Sequence, residues 1–333
     1  MAKLRVGVIY GGRSGEHEVS LMSAQSVMGA LDREKYEIIP LKIGPDGQWT
    51  DTIIQADPKG NPGLDVVFPV LHGPYGEDGT IQGLLELANL PYVGAGVASS
   101  AVSMDKAMMR VLFKEAGLPL LPWDVVLGHA WRENPQGIQE QLENALGYPM
   151  FVKPANLGSS VGISKVKSRE DLASALELAF QYDRKVVVEK GLVDAGEIEC
   201  SVLGHSRPVA SVLGEIVPAH EFYDYQAKYH SEESELIIPA PLGAAETKTI
   251  QDYACRAFAA VDCSGMGRVD FFLSRKGEVF LNEINTIPGF TPISMYPKLW
   301  AESGLPYPAL LDRLIELALV KHKERQTLRT SIF

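Results

Sequence analysis

The chain has 333 residues, of which 46% are hydrophobic and 22% are charged, a composition typical of globular proteins with sizeable cores. Its length exceeds that of one ordinary core and fits two or three domains of roughly 100 to 150 residues each. The 31 basic and 42 acidic side chains give a formal net charge of −11, which repels polyanions, so we expect no nucleic-acid partner.

The first hundred residues alternate short apolar strands with amphipathic helices. Strands are predicted at residues 4–9 and 66–70, and helices at about 19–30 and 80–88. In the second helix, apolar residues recur at i, i+3, i+4 and i+7, which gives one apolar stripe facing a sheet. This alternation predicts an N-terminal α/β domain with a doubly wound parallel sheet, over residues 1–104.

The middle region has a different order of elements. A helix and three strands are predicted at about 105–116, 149–153, 162–166 and 185–190. Gly117 and the prolines after it mark the end of the helix. A further helix before the last strand opens with the capping pattern Ser168-x-x-Asp171. The order strand, loop, strand, helix, strand predicts an α+β domain over residues 105–192.

The remaining residues, 193–333, are predicted to form a third domain of mixed strands and helices. The predicted strands and helices lie at about 197–203, 208–217, 267–274, 278–285, 244–261 and 307–325. Residues 219–235 form a polar segment with four tyrosines or phenylalanines among charges. Such a segment is either disordered or a lid whose rings pack when substrate is present.

The number and spacing of the cysteines and the length of the apolar runs indicate the cellular compartment of the protein. The three cysteines lack paired CxxC spacing, so neither a disulfide framework nor a thiolate zinc site is indicated. The N-terminus passes directly into a strand pattern, and no run approaches the roughly 18 to 20 apolar residues of a membrane span. We therefore expect a cytoplasmic protein without membrane contact.

Polar residues recur within the last two predicted strands. Glu283 and Asn285 lie two residues apart in LNEIN and share one strand face. If the strands are antiparallel neighbours, Asp270 of GRVDFFL joins that face. Three hard oxygen ligands beside the guanidinium of Arg268 suit Mg²⁺ bound to nucleotide phosphates. The alternative is a set of surface carboxylates, but apolar flanks make both strands interior, where polar groups need partners.

Lys153, in FVKPANLGSSVGISKV, is a second candidate for phosphate binding. A cation at a strand end, followed by a turn of small residues, can hold phosphates while loop amides close over them. Such turns also join ordinary hairpins. The segment is not a Walker A sequence, and GGRSGEHEVS does not match the GxGxxG fingerprint of dinucleotide-binding oxidoreductases.

Eight segments in chain order resemble the D-alanine–D-alanine ligases of the ATP-grasp superfamily. They are GGRSGEHEVSL, LHGPYGEDGTIQG, SMDKAMMR, FVKPANLGSSVGISKV, VVVEKGL, FYDYQAKY, GRVDFFL and NEINTIPGFTPISMYP. The resemblance spans about residues 7–297. It implies a three-domain ATP-grasp architecture and ATP-dependent synthesis of D-alanyl-D-alanine, a peptidoglycan precursor, through a D-alanyl phosphate.

The resemblance also implies nucleotide and metal ligands. The implied ATP contacts are Lys106, Lys153 and Lys228 at the phosphates, Glu189, Lys190 and Leu192 at adenine, Glu197 at the ribose, and Asn282 and Glu283. Asp270, Glu283 and Asn285 would hold two Mg²⁺ ions, with Mn²⁺ as a substitute. Lys106 could instead be an exposed lysine in a first helical turn. Glu199 competes with Glu197, because the segment VDAG is about one residue longer than the family pattern.

For the amino acids, the resemblance assigns roles to eight residues in all. Those implied as substrate-binding or catalytic are Glu16, His72, Ser159, Lys228, Tyr229, Arg268, Gly289 and Ser294. The resemblance implies that Glu16 would bind the first ammonium group and would form a hydrogen-bonded chain with Ser159 and Tyr229. Alternatively, Glu16 is a carboxylate at a helix N-terminus, His72 a capped loop histidine, Ser159 a turn residue and Ser294 a helix cap.

Three other functions compete with this interpretation. Depsipeptide ligases, which join D-alanine to D-lactate, differ around the lid, where the Lys-Tyr pair at Tyr229 resembles the dipeptide-forming subclass. Another ATP-grasp carboxylate–amine ligase would share the ATP residues, and a regulatory module would bind nucleotide or amino acid without turnover. The resemblance also implies a homodimer through the N-terminal domain.

Overall fold

The computed structural model of the chain describes residues 2–50, 52–158, 161–217 and 235–329. These residues form one parallel and two antiparallel sheets, with helices packed against each. The predicted combination of α/β and α+β units is confirmed. Within the described part of the chain, every helix is too short or too polar to cross a lipid bilayer.

The N-terminal sheet is parallel and has the strand order β2-β1-β3. Its elements are β1 (Leu4–Gly11), α1 (His17–Ala30), β2 (Tyr36–Ile43), β3 (Val66–Val70), α2 (Thr80–Leu87) and α3 (Val97–Met104). Buried side chains alternate along β3: Val66 and Phe68 pack with α1, whereas Val67 packs with α2. Helices therefore cover both faces of the sheet, as the doubly wound pattern predicts.

The middle sheet is antiparallel, with the order β4-β7-β5-β6. Its elements are α4 (Lys106–Glu115), β4 (Trp123–Leu127), α5 (Gly128–Glu133), α6 (Pro135–Leu146), β5 (Met150–Pro154), β6 (Ser164–Val166), α7 (Arg169–Phe180) and β7 (Lys185–Lys190). One face of β7, with Val186 and Val188, packs against α6 and α7, whereas Val187 turns toward Ala107 of α4. The face toward α4 also carries Lys153 of β5 and Glu189 of β7.

The C-terminal sheet is antiparallel and has the order β10-β9-β8-β11-β12. Its strands and helices are β8 (Gly196–Gly204), β9 (Val209–Val217), β10 (Glu235–Ile237), α8 (Ala244–Ala260), β11 (Gly265–Leu273), β12 (Val279–Asn285), α9 (Met295–Glu302) and α10 (Tyr307–Gln326). Val269 and Phe271 of β11 pack against Phe258 of α8 in a buried cluster. Because side chains alternate along a strand, Arg268 and Asp270 project from the opposite face.

The last two helices complete the core of the N-terminal sheet. Leu310 and Leu314 of α10 are fully buried in one cluster with Val8 of β1. Phe290, which precedes α9, packs edge-on against Phe68 of β3, with 5.8 Å between ring centroids. The two ends of the chain therefore share one hydrophobic core.

Candidate active site

Three carboxylates form a row across the C-terminal sheet. Asp270 on β11 lies directly opposite Glu283 on β12 and opposite Glu199 on β8. Cross-strand partners place their side chains on the same face of a sheet. The strands that carry Asp270 and Glu283 are antiparallel neighbours, which is the condition under which Asp270 joins this face, and the register adds Glu199 to the row.

Arg268 is fixed between two of these carboxylates. Its Nε and Nη2 atoms donate to Asp270 at 2.8 and 2.7 Å, and Nε lies 3.1 Å from Glu199 Oε2. Asn285 Nδ2 donates to Asp270 at 2.9 Å. The guanidinium is thus held in place by the protein, which is the arrangement required of a group that stabilises developing negative charge.

The oxygen atoms near this row suit a hard divalent cation. Asp270 and Glu283 supply carboxylates and Asn285 an amide oxygen, which are the donor types that Mg²⁺ and Mn²⁺ prefer. Over the described ranges, no three acidic, histidine or cysteine side chains are already gathered around a single metal position. Instead, Asp270 faces Arg268, and Glu283 lies 3.5 Å from Lys106 Nζ. The residues fit a cation that arrives together with phosphate groups, which would take over these basic partners.

A pocket opens beside the row. It is lined by Glu197, Ile198, Glu199, Asp270, Phe271, Phe272, Asn282 and Glu283. Glu197 lies on the same face as Glu199, opposite Phe272 of β11. Both glutamates therefore line this pocket, and Glu199 also pairs with Arg268.

Lys106 lies on the opposite wall of the site, at the first position of α4. Asp105 caps this helix by accepting from the N–H groups of Ala107 and Met108, each at 3.1 Å. The Lys106 N–H group donates to Ala155 O at 2.9 Å, which ties the helix start to β5. Its ammonium group donates to Leu157 O at 2.8 Å. Lys106 is 9% exposed, so the alternative of a solvent-exposed lysine is wrong.

Three buried charged groups lie between α4 and the middle sheet. Glu189 on β7 pairs through Oε1 with Lys153 Nζ and through Oε2 with Arg110 Nη2. Burial lowers the pKa of Lys153, although attraction to Glu189 opposes that shift. Burial also tends to raise the pKa of Glu189, but Arg110 and Lys153 outweigh this effect and lower it. Lys190, the next residue of β7, is exposed, and Leu192 beyond it is half-buried.

The sequence interpretation missed Arg110. A signal was available, because Arg110 follows Lys106 by four residues in SMDKAMMR and therefore lies on the same face of the helix. Its partner Glu189 is 79 residues away in the chain. No pattern within a short stretch of sequence predicts which residue this far along the chain will pair with Arg110.

Glu16 lies at the other end of the site, at the N-cap of α1. A Cβ atom added to Gly73 would lie 2.4 Å from Glu16 Oε2, and one added to Gly158 would lie 3.1 Å from the same oxygen. The carboxylate therefore packs closely against two glycine loops. One of them, at residues 154–158, leads toward Ser159, which lies outside the described residues.

His72 links the N-terminal domain to the loop after β12. Its Nδ1 atom is 3.1 Å from Ile287 O, and its Nε2 atom is 3.1 Å from Ser23 Oγ. Ser23 Oγ also accepts from the Phe290 N–H group at 3.3 Å. A neutral ring with its proton on Nδ1 satisfies every one of these contacts. His72 therefore fixes the position of the loop that carries Gly289.

Glu77, also missed in the sequence, crosses the same boundary. It accepts from the Gly73 N–H group at 2.7 Å and from the Ile287 N–H group at 3.3 Å. Burial and the nearby Glu16 raise the pKa of Glu77. The available signal was its place in LHGPYGEDGTIQG, one of the segments that carry the resemblance. Both Glu77 and His72 therefore hold the residue 72–77 segment against the loop after β12.

The lowered pKa of His72 predicts part of the acid sensitivity of the fold. Burial is the main cause, Arg268 adds to it, and Glu16 with the Ile287 carbonyl opposes it. Below a pH of about 6.5, the ordinary pKa of histidine, His72 takes up a proton more readily in the unfolded chain than in the folded protein. The free energy of unfolding therefore falls as pH falls. We expect wild type to lose stability relative to His72→Asn between pH 7 and pH 5.

Urea unfolding of both proteins at several pH values measures this difference. His129→Asn, which changes an exposed histidine, is the matched control. If the difference in free energy of unfolding between wild type and His72→Asn did not change with pH, His72 would be protonated equally in the folded and unfolded states.

Gly289 and Ser294 lie next to each other in the loop that His72 fixes. A Cβ atom on Gly289 would lie 2.6 Å from Ser294 Oγ, so a larger residue would displace that hydroxyl. Ser294 Oγ accepts from the Thr291 N–H group at 3.0 Å and precedes α9. The structure thus places Gly289, expected to donate to the oxyanion, beside Ser294, expected at the carboxylate of the second substrate. Lys228, Tyr229 and the predicted lid up to residue 234 lie outside the described residues.

Comparison with known proteins links both halves of the site to one family. The family profile described as D-ala D-ala ligase N-terminus matches residues 5–61 and 53–95. The profile described as D-ala D-ala ligase C-terminus matches residues 112–316. The chain is 52% identical to the D-alanine–D-alanine ligase of Heliobacterium modesticaldum over 357 aligned positions, covering 98% of this chain and 97% of the relative.

Solved structures show the same similarity in three dimensions. The D-alanine–D-alanine ligase from Coxiella burnetii superposes with a TM-score of 0.88 at 39% identity, covering 98% of this chain and 97% of that one. The VanG D-Ala:D-Ser ligase from Enterococcus faecalis superposes with a TM-score of 0.86 at 36% identity, covering 95% and 100%. The fold is therefore that of ligases that join small D-amino acids.

Proposed function

This chain belongs to the family of D-alanine–D-alanine ligases, and we infer that it joins two D-alanine molecules in a reaction driven by ATP. Family membership implies ATP and a divalent metal ion as requirements. The structural observation that carries the proposal is the register of β11 and β12, which sets Asp270 opposite Glu283 beside Arg268. That row supplies metal ligands and a fixed cation at one place.

The proposed nucleotide site lies between the middle and C-terminal sheets. Lys106 and Lys153 would bind the phosphates, and Glu189, Lys190 and Leu192 would contact adenine. Glu197 would accept from the ribose, with Asn282 nearby in the same pocket. Asp270, Glu283 and Asn285 would hold two Mg²⁺ ions, which when bound would neutralise phosphate charge and polarise the transferred group.

The proposed reaction has two steps. A carboxylate oxygen of the first D-alanine attacks the γ-phosphorus of ATP, the bond to the bridging oxygen breaks, and ADP leaves. The deprotonated amino group of the second D-alanine then attacks the carbonyl carbon of the D-alanyl phosphate. The tetrahedral intermediate collapses with loss of phosphate and leaves the dipeptide. Both steps are displacements on the substrates themselves, so the protein contributes positioning and charge.

Residues of this chain would orient the two amino acids. Glu16 would bind the ammonium group of the first D-alanine, and the loop fixed by His72 would present the Gly289 amide. Arg268 and that amide would donate to the oxyanion of the tetrahedral intermediate. Ser294 would contact the carboxylate of the second D-alanine, and Lys228 would reach the transferred phosphate. Ser159 and Tyr229 would connect Glu16 to a lid that keeps water from the acyl phosphate.

A product assay tests the proposal directly. The purified protein, ATP and Mg²⁺ are incubated at neutral pH with D-alanine alone, or with D-alanine plus D-lactate or D-serine. We expect D-alanyl-D-alanine as the main product by mass spectrometry, with ADP release dependent on D-alanine. A depsipeptide or a mixed dipeptide as the main product would reassign the second substrate. Nucleotide binding without ADP release would instead indicate a regulatory module.

We also propose an organisation for the whole protein. The boundaries 1–104, 105–192 and 193–333 separate a substrate domain from the two domains that enclose ATP. Two copies would associate through the N-terminal domain, and light scattering at micromolar concentration measures that association. Peptidoglycan precursor synthesis in the cytoplasm is consistent with Cys200, Cys255 and Cys263, which are free thiols in the described structure.

A further inference from the structure

Arg110 is buried where an apolar side chain would be less costly. Its side chain is 2% exposed, and it contacts Glu189 through Nη2. Across the described ranges, Arg110 Nε and Nη1 have no hydrogen-bond acceptor. Replacing buried ion pairs by packed apolar groups is often neutral or stabilising. An arginine that leaves two nitrogens unsatisfied in the interior is therefore poorly explained by stability alone.

The charges around Glu189 do not balance. Arg110 and Lys153 both pair with the single carboxylate of Glu189. With both basic groups protonated, these three buried side chains carry one positive charge in excess. Glu283 also acts on Lys153 and Glu189, but it pairs with Lys106, so the excess is unchanged. Buried charge without a partner is costly. An incoming anion that pairs with this excess charge would relieve the imbalance.

Arg110 and Lys153 differ in how easily their charged groups can move away from Glu189. Arg110 lies on α4, whose start is tied to the residues just after β5: Lys106 N–H donates to Ala155 O, and Asp105 accepts from Asn156 Nδ2. Lys153 is the second-last residue of β5, just before the segment that contains Gly158, and its flexible side chain ends in a single ammonium group. If Lys153 turned to an anion, Arg110 would still neutralise Glu189. Without Arg110, the same movement would leave a buried carboxylate unpaired.

We propose that Arg110 is a positioning residue for the ATP phosphates: by neutralising Glu189, it allows the Lys153 ammonium group to leave that carboxylate and bind phosphate. This inference rests on the proposed function, because it takes ATP as the anion that Lys153 binds. Arg110 itself need not touch the nucleotide. Arg110 lowers the free-energy cost of moving the Lys153 ammonium group from Glu189 to a phosphate group when the nucleotide binds.

Steady-state kinetics and calorimetry with ADP test this role. We expect Arg110→Met and Arg110→Gln to raise the KM for ATP and the Kd for ADP by about tenfold or more. The KM for D-alanine and kcat should stay within about threefold of wild type. Arg110→Lys restores the charge and should recover most of the affinity. Lys114→Met removes an exposed charge from the same helix and is the matched control.

A double-mutant cycle separates this role from a packing role. In a Glu189→Gln background there is no carboxylate to neutralise, so adding Arg110→Gln should change ADP affinity by less than about twofold. An equal loss in both backgrounds would overturn the proposal, as would wild-type ADP affinity in Arg110→Gln. Arg110→Gln retains an N–H donor for Glu189, so it keeps the test possible if Arg110→Met does not fold. Circular dichroism shows whether each variant is folded.

The two proposals fail in different ways. If wild type binds ADP but forms no dipeptide, the proposed function is wrong, and ADP affinity still tests Arg110. If wild type forms D-alanyl-D-alanine and the Arg110 variants bind ADP as wild type does, only the role of Arg110 is wrong.

Discussion

Asp270→Asn and Glu283→Gln are each expected to reduce D-alanine-dependent ADP release by about 10³-fold or more while the fold remains intact. Both changes preserve side-chain shape but remove a charged oxygen that would bind a metal ion. The two residues lie opposite each other in register, so each loss weakens the same ion site. Asp270→Asn also removes the charge that holds Arg268 on one side.

A coupled assay for ADP, run across a range of Mg²⁺ concentrations, measures this effect. Asp252→Asn, an exposed change on α8, is the control for loss of an acidic group from the same domain. Circular dichroism and thermal unfolding establish that each variant is folded. Normal turnover in both site variants would contradict the metal assignment and leave the row as a structural network.

Arg268→Met should have an effect of comparable size, with kcat lowered by about 10² to 10³-fold. The guanidinium is held by Asp270 and Glu199 before any substrate arrives, so its loss removes a donor that needs no reorganisation. The variant also leaves two neighbouring, largely buried carboxylates without a common partner. We therefore expect a loss of stability of about 1 to 3 kcal/mol besides the kinetic effect.

Single-turnover measurements of dipeptide and of ADP, together with urea unfolding, separate the two effects. Arg268→Lys keeps the charge but lacks the planar fork that hydrogen-bonds Asp270 while it pairs with Glu199, so its kcat should fall between those of wild type and Arg268→Met. Arg313→Met, an exposed change on α10, is the control. A folded Arg268→Met protein with wild-type kcat would exclude Arg268 from oxyanion stabilisation.

Local patterns in the sequence were sufficient for many elements of the fold. The strand at 185–190 has the predicted bounds, and the helix predicted from about residue 105 begins at Lys106 with Asp105 as its cap. Gly117, predicted to end that helix, has a φ of +67°, a conformation that favours glycine. The face shared by Glu283 and Asn285 followed from the two-residue period of a strand. These features depend on residues close together in the chain.

Other features depend on contacts between distant residues, and sequence patterns did not predict them. Several elements, including β2, β4, α5, α6 and α9, were not predicted. β4 and α5 have only five and six residues, whereas α6 did offer a signal in its cap Asn134 and the spacing of Leu142 and Leu146. The pairs of Arg110 with Glu189 and of Glu199 with Arg268 join separate elements. Glu199 became a partner of Arg268 only through the register of β8 with β11.

The core shared by the two ends of the chain has a consequence for biosynthesis. The apolar face of the first sheet is closed by α10, which begins about 240 residues after β3 ends. The ribosome synthesises this helix long after β3, so the apolar face of the first sheet stays exposed until α10 has been made. Contacts this distant in sequence slow folding and favour aggregation of incomplete chains. Nascent chains that stop before residue 307 should therefore depend on chaperones far more than the full-length protein does.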